Sequence, residues 1–147
     1  MPPDLPALSA RLREASGPYR VPPGDRRATT LYRCAVLNCE IAEAFGFAPE
    51  GYTRSDGDTF FNAPPVGSDP RSPGFRRPEP YTTSIDSIAA LVRTVEPDLH
   101  VQVHVAPDGS AVVRSWKGDG PGLVSYGPTE ALGRCLALVE WRIARGG

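Results

Sequence analysis

Three stretches of the chain place apolar residues three and four apart, and one alternates strictly. Leu31, Cys34, Leu37, Ile41 and Phe45 form a single stripe, which predicts a helix over Thr30–Phe45. Thr29 or Thr30 is placed to cap it, and Gly46 to end it in the left-handed conformation with Phe47 as the following apolar contact. Ser84 caps a second helix whose Ile85, Ile88, Val92 and Val95 share a face, and Pro97 stops it. Leu99, Val101, Val103 and Val105 then alternate with His100, Gln102 and His104, which reads as a strand.

Ala106-Pro107-Asp108-Gly109-Ser110 turns that strand back into Ala111–Trp116. A three-residue loop, Pro107–Gly109, sets Val105, Val103 and Val101 opposite Ala111, Val113 and Ser115 on one face. The other face then holds His104 with Val112, Gln102 with Arg114 and His100 with Trp116. A loop one residue shorter would set valines against Arg114 and Trp116, so consistency of the faces selects the three-residue form. Leu123–Tyr126 adds a third strand after the Gly-rich run 118–122. A closing helix is expected from Gly127 as N-cap, with Pro128 in its first turn and Glu130 at the third position. Leu132, Cys135, Leu136, Val139 and Ile143 make its stripe, while Leu138 and Trp141 lie off it and suggest a second apolar side.

Two segments fall outside this pattern. Residues 1–28 form a Pro-rich N-terminal lead-in, within which Asp4 can cap a short helix carrying Ala7, Leu8 and Leu12 and ending by Gly17. Residues 48–80 contain seven Pro and four Gly, a long loop of the kind that is functional or disordered. Its Tyr52, Phe60, Phe61 and Phe75 exceed what a linker needs, and Asp56-Gly57 suits a tight hairpin turn. The order of elements predicts an α+β fold: one domain over 29–147, with a three-stranded antiparallel sheet packed between helices in an alpha-beta-alpha sandwich.

Composition narrows the function more than the fold. The 147 residues include 15 Gly and 17 Pro, well above ordinary usage of about 12% for the two together, so loop and tail are extensive. Sixteen basic residues against 17 acidic ones exclude a generally basic nucleic-acid binder, and no apolar run is long enough for a membrane span. The start, Met1-Pro2-Pro3-Asp4, lacks the basic and apolar regions of a signal peptide, so a soluble cytoplasmic protein is expected. Cys34, Cys39 and Cys135 form no C-x-x-C pair and, with two histidines, are too few for an ordinary zinc site; they read as small buried hydrophobes. Neither a metal nor a cofactor is expected. Fifteen of the 16 cations are Arg, which suits bidentate recognition of phosphate or carboxylate better than lysine does.

No hydrolase, metalloprotease or phosphate-loop motif is present, and His100 and His104 lie about 13 Å apart along their strand, too far to share a metal. Two sets of residues could hold a ligand. In Phe75-Arg76-Arg77-Pro78-Glu79-Pro80-Tyr81-Thr82-Thr83-Ser84, two arginines and three hydroxyls arrive at a helix N-terminus, whose free amides favour anions. Arg76, Arg77 and Tyr81 would hold phosphate and ring, and Thr82, Thr83 and Ser84 would donate hydrogen bonds; the bland alternative is a capped helix with a proline brace. The second set is the sheet face of His100, Gln102, Arg114 and Trp116, planar groups that suit a ligand or a covering partner equally.

The run Pro80-Tyr81-Thr82-Thr83-Ser84-Ile85 resembles the P-Y-S-T-D-I helix start of small phage proteins carrying the phage ABA-sandwich domain. Residues 37–47, which end in Gly46-Phe47, are similar to that family's first helix, and residues 128–137 to its closing helix, so the likeness spans about residues 30–144. Ser84 departs from the family, which usually has Asp there; both cap a helix. The resemblance implies a sheet between helical layers and a small accessory protein acting in host cytoplasm, and it brings no catalytic residues. The expected function is therefore non-enzymatic capture of a small anionic, nucleotide-like ligand of host immune signalling, by a homo-oligomer if Leu138 and Trp141 offer a spare apolar face. Two alternatives remain at this point: a module that blocks a host protein through the 48–80 loop, and a nucleotide hydrolase using His100 or His104 as base.

Overall fold

The structure is a computed structural model that describes residues 4–15, 30–55, 57–63 and 74–146. In chain order it contains α1 (Leu5–Ala15), α2 (Thr30–Ala44), β1 (Thr53–Arg54), β2 (Phe61–Asn62), β3 (Phe75–Arg76), α3 (Ile85–Val95), β4 (His100–Val105), β5 (Ala111–Trp116), β6 (Leu123–Gly127) and α4 (Glu130–Ala144). β4, β5 and β6 form an antiparallel sheet in that order; α4 packs on one face of it, α1 and α3 pack on α4 and α2 on α1, giving an α+β fold.

The β4–β5 hairpin has all six predicted pairs, from Val105 with Ala111 to His100 with Trp116. Gly109, at φ +89°, supplies the left-handed residue that closes a three-residue loop, and the Ala106 N–H donates to the Ser110 carbonyl at 2.8 Å. Asp108 accepts from both the Ser110 N–H and hydroxyl, which fixes the turn and holds its carboxyl below the usual range. On one face of the sheet Ala111, Val113, Ser115, Ser125 and Gly127 are buried; this is the face that α4 covers.

α4 is the central element. Leu132, Cys135, Leu136, Leu138, Val139 and Trp141 are all buried within the chain. The second apolar side expected from Leu138 and Trp141 is thus filled internally. α1 supplies much of that cover: Leu8 and Leu12 are fully buried, and Arg13 and Arg11 pin the helix to Glu140 of α4 and Glu40 of α2 at 2.6 and 2.7 Å. The short helix within the Pro-rich lead-in is therefore a layer of the core, while residues 16–29 lie outside the described ones.

The start of α4 is shifted from the expected position. Thr129, not Gly127, is the N-cap, and its hydroxyl accepts from the Leu132 N–H at 3.2 Å. Gly127 instead ends β6, where strand and helix touch: a Cβ there would lie 2.4 Å from the Gly133 nitrogen and 2.6 Å from its Cα. Only hydrogen at this position lets the strand turn directly into the helix that lies on it.

α2 ends as predicted. The Phe47 N–H donates to the Ala42 carbonyl and the Gly46 N–H to that of Glu43, with Gly46 at φ +82°. Phe47 is 48% exposed and lines a shallow cleft with Leu91. The cap residue Thr29 lies outside the described residues, as does the side chain of Leu31. In α3 the stripe is Ile88, Leu91 and Val92; Ile85, in the first turn, is 43% exposed.

The 48–80 stretch folds back on α2 through a small antiparallel sheet, β1-β2-β3. β1 and β2 form the expected hairpin, although Asp56 and residues 64–73 are outside the described ones. Glu43 of α2 accepts hydrogen bonds from the Tyr52 hydroxyl and the Arg54 guanidinium, while Tyr52 meets Phe61 edge to face at 5.0 Å. Burial, and then the bond to Glu43, push the Tyr52 hydroxyl up to about 12.

Two contacts give measurable consequences. Gly127→Ala forces backbone against backbone, so it should cost at or above the top of the about 1–3 kcal/mol typical of overpacking. Gly133→Ala meets Val113 Cγ2 at 3.1 Å, which asks for a shift of a few tenths of an ångström in one buried side chain in place of a backbone clash, and it gains helix propensity, so urea unfolding should rank it milder.

Glu96, at the end of α3, accepts from Lys117 at 2.7 Å and Arg142 at 2.6 Å, tying α3, the β5–β6 connection and α4 together. Burial alone would raise its carboxyl, but the hydrogen bonds and charges of Lys117 and Arg142 outweigh this and lower it from 4.5. A depressed carboxyl stabilises the fold above its unfolded value and loses that contribution as pH falls through its folded value. Glu96→Gln should therefore lower stability by about 1–3 kcal/mol at pH 7. The gap to wild type should close as the pH drops below 4.5, read from denaturation midpoints across pH.

Candidate functional site

The nine residues singled out from sequence divide into two groups in the fold. The first follows β3 into α3. Tyr81 is 4% exposed and its carbonyl accepts from the Cys135 thiol at 3.2 Å. Burial, then the neighbouring Glu79, raise its hydroxyl above the usual value. Thr82 is 1% exposed: its N–H and its hydroxyl both donate to Asn38 Oδ1 at 2.9 Å. These two residues lock the entry to α3 onto α2 and α4, and both are almost fully buried. The Ser84 hydroxyl is engaged as the N-cap, accepting from the Ser87 N–H at 3.2 Å.

What remains open in that group is Arg76 on β3, paired by backbone with Phe61, together with exposed Arg77; Thr83 is exposed too, but its hydroxyl donates to the Pro80 carbonyl at 3.5 Å. The Phe75 side chain lies outside the described residues. The shallow cleft beside this helix start is lined by Phe47, Tyr81, Leu91, Glu79 and Asp86. The Ser87 hydroxyl donates to Glu79 at 3.3 Å. Two carboxylates thus occupy the position where helix amides would otherwise attract an anion.

His100, Arg114 and Trp116 form the second group, and the structure brings them together. They stand on the sheet face opposite α4, which no described helix covers. In β4, β5 and β6 the alternation sends His100, Gln102 and His104, then Val112, Arg114 and Trp116, then Val124 and Tyr126 to that side. Every ionisable side chain of the three strands is on this face, and none is a carboxylate. His100 stacks on Trp116 with ring centroids 5.4 Å apart and planes 19° from parallel. Arg114 makes no ion pair among the described residues, unlike Arg11, Arg13, Arg54, Arg134 and Arg142.

An open cleft of ≈ 440 Å³ lies at the Trp116 end, bounded by Gln102, Arg114, Trp116, Leu123 and Val124 with Gly120 and Gly122. Its volume falls within the roughly 300–1,000 Å³ range of small-ligand sites. Gly122 forms part of its wall; a Cβ there would lie 3.1 Å from the Ser115 carbonyl oxygen and 3.7 Å from Trp116 Cβ. The Gly-rich connection is thus a rim of the cleft.

Val124, Tyr126 and the two rim glycines belong to this face although sequence reasoning did not assign them to a site. The signal was available in the third strand, because pairing Val112 with Tyr126 and Arg114 with Val124 follows from extending the hairpin register. Cys34, Cys39 and Cys135 are buried free thiols, as expected; burial pushes Cys39 up to about 11, away from nucleophilic use at neutral pH. Among the described residues no group of three His, Cys, Asp or Glu could hold a metal ion, and no helix is long and apolar enough to cross a membrane. Comparison with protein-family models, curated proteins and solved structures gives no match.

The division into a structural and an open group is testable by stability. Asn38→Ala would leave the Thr82 N–H buried without an acceptor and its hydroxyl with only the Cys34 carbonyl at 3.4 Å, and should cost about 1–3 kcal/mol. Arg77→Ala, on the exposed segment, should stay within about 0.5 kcal/mol of wild type in the same denaturation series.

Proposed function

We propose that this protein is a non-enzymatic binding protein that captures a small, planar, anionic, nucleotide-like ligand in the cleft on the open sheet face. The observation that carries this reading is the stacked His100–Trp116 pair beside an unpaired Arg114, on strands without a carboxylate. Trp116 offers a flat apolar surface to a base, Arg114 a bidentate donor set to phosphate, and Gln102 a donor and acceptor for a base edge or sugar. Engaging the Arg114 guanidinium with an anion breaks no ion pair among the described residues, unlike at Arg11, Arg13, Arg54, Arg134 or Arg142.

Capture without turnover is favoured over hydrolysis by the surroundings of the histidines. His100 is held against an indole ring, and no carboxylate on the sheet orients either imidazole as a base. With the likeness to small phage proteins, the reading extends to an accessory protein that withholds a host signalling nucleotide.

Thermal denaturation against mononucleotides, dinucleotides and ADP-ribose, with each mixture then analysed for breakdown, tests this. Ligand at 100 times its dissociation constant adds about 2.7 kcal/mol and raises the midpoint visibly. Arg114→Ala and Trp116→Ala should each weaken binding by roughly 10–100-fold, and Arg77→Ala should not. No shift with any compound, or ligand consumed during incubation, overturns the proposal.

A further inference from the structure

The open face carries more than the cleft uses. Its rows run His100–Trp116, then Gln102–Arg114–Val124, then His104–Val112–Tyr126. The first row is a stacking station. The third is another: Tyr126 is 70% exposed, and with His104 it flanks the apolar floor of Val112. Trp116 and Val112 are four residues apart on one strand, about 13 Å at ~3.3 Å per residue, and Arg114 stands midway between them. One nucleobase cannot touch both stations. Two bases can, if the group joining them passes over the central row, where Arg114 and Gln102 are the polar side chains. An anionic linker is what that row would accept, because it holds a free guanidinium, an amide and no acid.

We infer that the ligand is a dinucleotide: two bases joined by phosphodiester linkage, one ring at Trp116 and His100, the other at Tyr126 over Val112, with phosphate on Arg114. This rests on the proposed function and specifies its ligand. It also accounts for the exposure of Tyr126 and Val124, the latter 47% exposed in the central row, on a chain that buries most of its other large apolar groups. The same chemistry occurs in a free dinucleotide and in a longer single strand, so both are needed as probes.

Calorimetric titration of the full chain with linear and cyclic homodinucleotides, the matching mononucleotides and single-stranded octanucleotides distinguishes the cases. The best dinucleotide should bind at least roughly tenfold tighter than its mononucleotide, with no further gain in the octanucleotide. Tyr126→Ala, which alters only an exposed side chain, should reduce dinucleotide affinity to the mononucleotide level, and Trp116→Ala should weaken both ligands.

Equal binding of mono- and dinucleotide with a silent Tyr126→Ala overturns the two-station inference and leaves the single-ring cleft intact. Affinity that keeps rising with strand length overturns it in favour of a tracked strand. Absence of binding by every probe removes the underlying reading as well. A dimer in sedimentation that Tyr126→Glu dissociates would show the face to be covered by a second copy, which also overturns the inference.

Discussion

The close approach between Gly127 at the end of β6 and Gly133 near the start of α4 sets the position of nearly everything else. Because neither residue has a side chain, the helix lies directly on the strand that precedes it after a turn of only two residues, Pro128 and Thr129. α4 is thereby drawn across the inner face of β5 and β6. Its remaining sides are then available to α1 and α3, and Leu8, Leu12, Ile88 and Leu136 meet in one fully buried cluster. Polar ties secure the arrangement rather than create it. Glu140 receives Arg13 from α1 and the Ser125 hydroxyl from β6, and Glu96 gathers Lys117 and Arg142.

A helical layer centred on one helix has a consequence for the sheet. The described helices are gathered around α4, so β5 and β6 are buried on one side and open on the other, while β4 at the sheet edge stays partly open on both, with Val105 46% exposed. Inward positions carry Ala111, Val113, Ser115, Ser125 and Gly127; outward positions carry all the charge, the imidazoles and two of the larger rings. A merely solvated face would be expected to mix acids and bases, as the helices here do. This one selects for planar and cationic groups, and that selection is the basis for reading it as a recognition surface.

The elements that were legible in the sequence are those whose signal is local. The hairpin register followed from one turn and the requirement that valines share a face, and the Ser84 cap and the Gly46 terminus each followed from a single residue. What was not legible depends on tertiary contact. Gly127 looked like a cap because glycine before proline at a helix start usually is one; its role against Gly133 exists only once the helix folds back. Leu138 and Trp141 looked like surplus apolar surface because the partner helix, α1, lay in a Pro-rich stretch with weak periodicity. Tyr81 and Thr82 carried the right chemistry for a ligand, but Asn38, more than forty residues away, claims the Thr82 donors, and Cys135 on α4 donates to the Tyr81 carbonyl.

The two anion-binding candidates differ in a way that sequence inspection could not weigh. A helix N-terminus offers about half a positive charge, but at α3 that charge is met by the Ser84 hydroxyl and by the carboxylates of Glu79 and Asp86. Arg114 offers a full charge with nothing opposed to it on its strands. Arg76 and Arg77 make no ion pair among the described residues either, so what separates the two candidates is that Arg114 shares a cleft with Trp116, whereas the cleft beside α3 is lined by the carboxylates of Glu79 and Asp86. Aromatic surface favours the same side, since Trp116 stands half-open at the cleft while Tyr81 is enclosed in the core. The segment richest in arginine and hydroxyl groups thus serves to hold α3 in place, and the sparser set on the sheet, with one arginine and one glutamine among rings, keeps its bonding capacity free for a ligand.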